Sequence, residues 1–433
     1  VEHLAHALGH GDHGDALRAA NMYGEDDVTH YAQPIASCAW RVPRCVARVK
    51  ETSGYDDRVA SVAAFNDAHA HRKRGLALVP TKFGINFTAK LLNQGGSLVH
   101  LYTDGTLLVS HGGTEMGQGL HTKVCQVVAQ AFGVTIDRVH VEDTASDKVA
   151  NSAATAASMS TDLYGMAALD ACHQILARLK PVYDRRRAAG DSLELAAVAG
   201  DAFFNRIDLS AHGFYAVDGA RCGYDWDRPN GDRGTPFNYW TQGAAVAEVE
   251  LDCLTGDFEV RRADVLVDLG CSINPALDVG QIEGAFVQGA GWLTTEELIV
   301  SEAGHGEGAN HAWFGAPPGT LLTNGPGNYK LPSFNDAPRD FRVELLDRAD
   351  NVHCVHSSKA VGEPPFFLGA SVLFALQHAV QARRADRGVP GYLGLRAPAT
   401  PEKLRMHCRD AIADAAVARL GRDPATWHAS ASC

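Results

Sequence analysis

Leu98-Val99-His100-Leu101-Tyr102-Thr103-Asp104-Gly105-Thr106-Leu107-Leu108-Val109-Ser110-His111-Gly112-Gly113-Thr114-Glu115-Met116-Gly117-Gln118-Gly119 reads as a hairpin that runs into a glycine turn. Leu98 to Tyr102 and Thr106 to Ser110 are β-rich runs joined by Asp104-Gly105, a strong hairpin signal. Four glycines fall in the eight positions from Gly112 to Gly119, and Val124, Val127, Val128 and Ala131 then repeat at helical spacing. Residues without a Cβ let backbone N–H groups close on a ligand, and the following helix N-terminus adds partial positive charge. An anionic cofactor is the expectation here, set against a plain structural turn. The spacing matches neither the Rossmann Gly-x-Gly-x-x-Gly pattern nor a phosphate loop ending in Gly-Lys-Ser/Thr.

Outward from this stretch, residues 1 to about 75 read as polar helices and the texture changes to strands and glycine turns from about 76. Val139 to Val141 is a short strand. The small-residue run Asn151 to Ser160 leads into a helix with Leu163, Met166, Ile175, Leu176 and Leu179 on its apolar face, which Pro181 is expected to end. Val249, Leu251 and Cys253 alternate, Thr255-Gly256-Asp257 turns, and Phe258, Val260, Val265 and Val267 return. Gln281 to Leu293 reads as a helix, residues 301 to 330 as a Gly-, His- and Pro-rich loop, and Leu368 to about Arg383 as the last helix. Strands and helices without regular βαβ alternation make an α+β fold. The expected division is 1–75 (helical), 76–365 (the main domain) and 366–433 (C-terminal helices and tail).

A second feature is Lys359-Ala360-Val361-Gly362-Glu363-Pro364-Pro365-Phe366-Phe367-Leu368. Pro364 and Pro365 have no N–H to offer the Glu363 carboxylate, and a residue before proline is held extended. Burial of the Phe-Phe-Leu segment would then raise the Glu363 pKa and make it a candidate general base. The plainer alternative is a turn glutamate facing water.

Composition narrows the function classes. A net charge of −12 over 433 residues argues against nucleic acid as a main partner, because phosphate binding needs a basic face. No apolar run approaches the roughly 18 residues needed to span a bilayer, and the start does not resemble a signal peptide. The ten cysteines include no Cys-x-x-Cys pair, which fits neither a zinc site nor an iron–sulfur run and suggests reduced, mostly buried thiols. Val1 in place of Met suggests a piece of a longer protein. Three other features carry less. His3, His6, His10 and His13 fall near one helical face that Gly9, Gly11 and Gly14 undermine. His71-Arg72-Lys73-Arg74 reads as a solvated helix end. Glu115 in the glycine turn reads as solvated or structural, without a catalytic partner in sequence.

Taken together, Pro80 to Thr88, the glycine turn continued as Leu120-His121-Thr122-Lys123, Thr155 to Ser158, Glu250 to Asp257, Gly280 to Phe286, Lys359 to Pro365 and Pro398 to Lys403 resemble, in order, the molybdenum-binding region of the xanthine dehydrogenase type of molybdenum hydroxylase. The resemblance spans nearly the whole chain and lies in the C-terminal part of that region. It implies a molybdopterin-binding fold of mixed sheets and packed helices, and a molybdenum–molybdopterin cofactor with a sulfido ligand. Glu363 corresponds to the catalytic base that deprotonates a molybdenum-bound hydroxyl, whose oxygen attacks a purine ring carbon while hydride passes to the sulfido ligand. Phe87 corresponds to an aromatic that holds the flat substrate, with Thr88 and Ala156 as further substrate contacts. Ala157 falls where backbone approaches molybdenum, and Gly117, Gln118, Thr155, Ser158, Ser160, Gln281 and Gly362 match cofactor-contacting positions.

The resemblance further implies 2Fe-2S clusters and FAD in upstream domains, NAD as electron acceptor, a purine substrate, and a homodimer in the cytoplasm or the peroxisome, with neither nucleic acid nor membrane as partner. The second sandwiching aromatic and the Glu and Arg that recognise purine would also lie upstream, so this chain alone is not expected to turn over substrate. Asn86 and Met159 replace smaller family residues. Aldehyde oxidase, acting on aromatic aldehydes and N-heterocycles, shares the glycine turn and the Gly-Glu-Pro-Pro segment, but Phe87-Thr88 and Thr155 to Ser158 favour the dehydrogenase. A non-catalytic molybdopterin-binding or assembly module is the reading from another class.

Overall fold

The structure is a computed structural model and describes residues 2–8, 14–228, 231–301 and 317–421. Four helices come first: α1 (Glu2–Ala7), α2 (Asp15–Ala20), α3 (Val42–Ser53) and α4 (Tyr55–Ala68). Strands β1 (Arg72–Ile85), β2 (Gln94–Leu101) and β3 (Leu107–His111), helix α5 (Leu120–Phe132) and strand β4 (Val139–Val141) follow. Then come α6 (Ser160–Ala189), α7 (Leu195–Phe204), β5 (Ser210–Ala216), β6 (Tyr239–Asp252), β7 (Phe258–Asp268) and α8 (Pro275–Thr294). The described chain closes with β8 (Asp340–Leu345), α9 (Ala370–Asp386), α10 (Pro401–His407) and α11 (Ala411–Leu420).

The strands form two sheets, ordered β1-β6-β7-β8 and β4-β3-β2-β5. In the first, β1 lies antiparallel to β6 from Arg72 opposite Asp252 to Ile85 opposite Tyr239. Both faces of this sheet are covered. Leu76, Leu78, Val246 and Leu266 meet Cys45, Val49, Tyr55 and Val62 of α3 and α4 on one face. Ala245, Val249, Val265 and Val267 meet Ile282, Phe286, Val372 and Leu376 of α8 and α9 on the other. The second sheet packs Val99, Leu101, Leu107 and Val109 against Val124, Val128, Ala171, Ile175 and Val198 of α5, α6 and α7. Burying such side chains stabilises by about 1.5–3 kcal/mol each. A third cluster, with Met159, Leu163, Tyr239 and Trp240, joins the two halves.

The hairpin forms at Asp104-Gly105, where Gly105 takes φ +83° and the Asp104 carboxylate accepts the Thr106 N–H at 2.9 Å. The 249–267 meander is β6 and β7, antiparallel as the alternation required.

Several expectations need correction. Pro181 does not end α6, which runs on to Ala189 with Leu179 and Val182 buried on either side of it. Burial of those side chains offsets the roughly 3 kcal/mol an interior proline costs. The basic run at 71–74 opens β1 instead of ending a helix. Lys73 is fully buried and pairs with Asp386, and Arg74 stacks over Phe65 and pairs with Glu250 at 2.9 Å. The last helix is not the one after Leu368, since α10 and α11 follow α9. Residues 364–386 have the length and hydropathy of a membrane span by composition, although Val372, Leu376 and Val380 of this stretch lie in the core. Of the histidine-rich start and the 301–330 loop, residues 9–13 and 302–316 lie outside the described residues.

Candidate active site

A cavity of about 320 Å³ opens where the two halves meet. Its walls are the glycine turn and the start of α5, the 155–161 segment leading into α6, the first turns of α8, and the 358–363 loop. Gln118, Thr155, Ala156, Ala157, Ser158, Ser160, Gln281, Gly362 and Glu363 all line it. Phe87 and Thr88 do not. Phe87 follows β1, where its N–H donates to Asn93 Oδ1 at 2.9 Å and its carbonyl accepts from Asn93 Nδ2 at 2.8 Å. Its ring packs on the same cluster as Ala157 and Met159, which sets it beside the cavity wall.

The glycine turn is closed upon itself. The Glu115 carboxylate accepts N–H groups from Gly117 at 2.8 Å, Gly119 at 3.0 Å and His121 at 3.0 Å. Burial pushes the Glu115 carboxyl up, but those three N–H groups outweigh it and hold the pKa below the ordinary range. Gln118 Oε1 accepts the Met116 N–H at 2.7 Å, and Gln118 Nε2 donates to the Thr114 carbonyl at 2.9 Å. The Thr114 N–H in turn goes to Thr155 Oγ1 at 2.9 Å, tying the turn to the 155–161 segment. This corrects the idea that the turn presents free amides to a ligand, because the amides of Met116, Gly117 and Gly119 are spent locally. Glu115 has the structural role. Gly117 supports Gln118 without itself lining the cavity.

Glu363 departs from expectation in two respects. It is exposed while lining the cavity, and Phe367, four residues on, is exposed as well. Its backbone is not extended but helical, with φ −91° and ψ −35°, as the residue before a 3₁₀ turn over Pro364–Gly369. That conformation is disfavoured before proline. Ser158 holds it there: its Oγ accepts the Glu363 N–H at 2.9 Å and donates to Glu363 Oε2 at 2.9 Å, both bonds within the capacity of one hydroxyl. Ser158 and Ala157 themselves take φ of +56° and +54°, a left-handed conformation that costs L-residues on the order of 1–2 kcal/mol each. Two adjacent strained residues thus sit on the cavity lining, a placement also found at many functional sites. Met159 turns away and is fully buried in the core, and Asn86 is buried with its Nδ2 donating to the Arg221 carbonyl at 2.9 Å.

In and behind the lining lie charged and phenolic groups to which the sequence reading gave no site role. Lys123 and Asp278 both line the cavity and are ion-paired. Lys359 donates to Asp268 at 2.6 Å and to the Trp240 carbonyl at 2.9 Å; burial lowers its pKa, opposed by the Asp268 charge. Asp162, in the first turn of α6, is pushed up to about 6 by burial. It accepts the Tyr239 hydroxyl at 2.6 Å. Burial, reinforced by the Asp162 charge, holds Tyr239 well above its ordinary pKa. The available signal for a central strand was the run from Tyr239 to Ala247 without a charged residue, all of which is buried. Nothing local marks Asp162 or Lys123 as buried.

Among the described residues no group of three His, Cys, Asp or Glu side chains could hold a bare metal ion. The cavity instead offers side-chain amides and hydroxyls, from Gln118, Gln281, Thr155, Ser158, Ser160 and Thr161. That donor set suits an organic, hydrogen-bond-rich cofactor that brings its own metal ligands, so the residues fit a molybdenum–pterin.

Comparison with known proteins agrees with this fit. The chain belongs to the molybdopterin cofactor-binding domain family, whose model matches residues 48–338. Xanthine dehydrogenase of Oryza sativa subsp. japonica is 48% identical over 412 residues, covering 95% of this chain and 29% of that protein. Xanthine dehydrogenase/oxidase of Rattus norvegicus is 42% identical over 415 residues, again 95% of this chain and 29% of that protein. The chain thus spans less than a third of these relatives. The fold is shared with the CO dehydrogenase of Oligotropha carboxidovorans, at a TM-score of 0.72 and 18% identity over 96% of this chain and 50% of that one. It is shared equally with the aldehyde oxidoreductase of Desulfovibrio desulfuricans ATCC 27774, at 0.71 and 22% over 93% of this chain and 39% of that one.

Proposed function

We propose that this chain is the part of a xanthine dehydrogenase-type molybdenum hydroxylase that holds the cofactor and supplies the base for hydroxylating a purine ring carbon of hypoxanthine and xanthine. The observation that carries the reading is the Ser158–Glu363 pair at the mouth of a cavity lined by Gln118, Gln281 and hydroxyl side chains. When bound, the molybdenum–pterin supplies the two-electron redox and oxygen-transfer chemistry.

The residues of this chain do the rest. Gln118, Thr155, Ser158, Ser160 and Gln281 hold pterin and phosphate by hydrogen bonds, with Gly117 and Gly362 shaping the backbone around them, and the small Ala157 leaves room beside the metal. Phe87 packs on one face of the substrate, flanked by Thr88 and Ala156. The Ser158 hydroxyl donates to Glu363 Oε2 and so orients the carboxylate, leaving its other oxygen to accept a proton. A flat substrate seated over the mouth would cover that carboxylate and exclude water from it. The 2Fe-2S and FAD centres expected elsewhere in the complete homodimer would supply the route for electrons to NAD.

The test is Glu363→Gln in the complete enzyme, with molybdenum analysis and turnover of hypoxanthine measured beside a bulky aromatic aldehyde. Retained molybdenum with hypoxanthine turnover lost is expected. Preference of the wild type for the aldehyde would turn the substrate assignment toward an aldehyde oxidase. Wild-type enzyme without molybdenum or turnover would leave a non-catalytic module.

A further inference from the structure

The 358–363 loop is not paired into either sheet along its length, yet its backbone is fixed at Ala360 from two directions. The Ala360 N–H donates to the Tyr239 hydroxyl at 2.8 Å, and the Ala360 carbonyl accepts from Thr241 Oγ1 at 2.8 Å. The Tyr239 hydroxyl can accept that N–H in a fixed direction because its own proton is committed to Asp162, 2.6 Å away. Asp162 lies four residues after Ser158 and begins the same helix that the 155–158 lining runs into. The wall bearing Ala157 and the wall bearing Glu363 are therefore joined twice. One join is the solvent-facing Ser158–Glu363 pair, and the other is the fully buried relay Asp162–Tyr239–Ala360. Exposed pairs fray and exchange with water, whereas a buried, satisfied chain of hydrogen bonds rigidifies what it connects.

We infer that Tyr239, oriented by Asp162, is a positioning residue that sets where Glu363 stands relative to the Ala157–Ser158 wall. The inference rests on the reading of Glu363 as the base. Tyr239 touches neither the cavity nor a substrate placed in it, so its effect passes through the backbone from Ala360 to Glu363. Asp162 is also hydrogen-bonded by the Cys354 thiol and lies near the Lys123 charge, and Met159, Leu163 and Trp240 belong to the apolar cluster that holds Tyr239.

The experiment is made on the complete holoenzyme with Tyr239→Phe, Asp162→Asn and Thr241→Val. In Tyr239→Phe the ring still fills its place, while the Ala360 N–H loses its acceptor. Expected is a fall in kcat per molybdenum of about tenfold, the scale that a small misplacement of a reacting group produces, with KM and molybdenum content within about twofold of wild type. Amide hydrogen exchange over 360–363 should rise at least about tenfold, reading the tie without reference to activity. Asp162→Asn retains an acceptor for the Tyr239 hydroxyl and should stay within about twofold of wild type in both readouts. If Tyr239→Phe loses its cofactor, Thr241→Val cuts the other tie to Ala360 and carries the same expectation.

Wild-type exchange and wild-type kcat per molybdenum in Tyr239→Phe, or in Thr241→Val where Tyr239→Phe loses its cofactor, would overturn the inference. Failure of the base assignment is distinguishable. In that case Glu363→Gln would keep its turnover while the exchange in Tyr239→Phe still rose.

Discussion

Two walls face each other across the cavity, and they are held by opposite means. The glycine turn is closed mainly by its own residues, with Glu115 accepting amides two, four and six positions away, and its links to Thr144 and Thr155 span 31 and 41 residues. The 358–363 loop is tied by side chains from far along the chain: Thr241 and Tyr239 reach Ala360 across 119 and 121 residues, and Ser158 reaches Glu363 across 205. A wall closed by local bonds carries its shape with it. A wall held from a distance is only as well placed as the sheet and helix that hold it, which makes it the natural place for a reacting group to be tuned.

The largest effect that separates the walls is expected at Glu363. Glu363→Gln should lower turnover of the complete enzyme by about 10²–10⁴-fold, the usual weight of a general base. The melting temperature should hardly move, because the exposed side chain contributes little packing. A variant that unfolds instead would show that this wall depends on the carboxylate for its structure.

The pH dependence of stability should differ in sign between the walls. Burial, with His121 second, lowers His111 beneath the glycine turn to about 4. A depressed folded-state value means that its contribution is intact above about 6.5 and is lost as pH falls toward 4. Asp162 behind the other wall is raised to about 6. Its contribution is intact below about pH 4 and is lost as pH rises through 6. Each span corresponds to on the order of 3 kcal/mol. Unfolding free energies measured from pH 4 to 7 should therefore lose their acid sensitivity in part in His111→Gln, while Asp162→Asn should gain stability at pH 7 relative to pH 4. Changes of the same sign in both variants would contradict this contrast.

Removing the local closure should cost somewhat less. Glu115→Ala leaves the N–H groups of Gly117, Gly119 and His121 without their acceptor, and water can reach part of this turn. A loss of about 2 kcal/mol is expected in denaturant titration, with little change at the distant 358–363 amides.

The smallest contrast lies within the turn. Both Gly117 and Gly119 have positive φ, +99° and +79°, so alanine at either strains the backbone by about 1–2 kcal/mol. At Gly119 a Cβ would also lie 2.5 Å from Leu277 Cδ1, whereas at Gly117 nothing lies within 4 Å. Gly119→Ala should therefore be the more destabilising by about 1 kcal/mol or more in thermal melts. Equal losses would mean that α8 yields freely to the turn.

The same contrast explains what could be read from the chain itself. The hairpin at Asp104-Gly105, the glycine turn, the α5 repeat and the β6–β7 meander each depend on neighbours in sequence, and each formed where the pattern placed it. Gln118, Thr155, Ser158, Ser160, Gln281, Gly362 and Glu363 meet around one cavity, whereas Gly117, Phe87 and Thr88 do not line it. Local rules failed where a distant partner outweighed them. Pro181 stays inside a helix because the core covers the residues on both sides of it, Lys73 is buried because Asp386 is there to pair with it, and Glu363 is helical before a proline because Ser158 captures its N–H.

The amino-acid order by itself determined the α+β texture, the turn chemistry and the family, since periodicity, glycine placement and collinear motifs are properties of neighbouring residues. Only the tertiary structure decided that the turn's amides answer to Glu115, that Glu363 stands exposed and bolted to Ser158, and that Asp162 and Tyr239 lie beneath its loop. Those facts depend on which groups meet across one or two hundred residues. Burial and hydrogen-bond partners are set by that meeting and not by any local pattern.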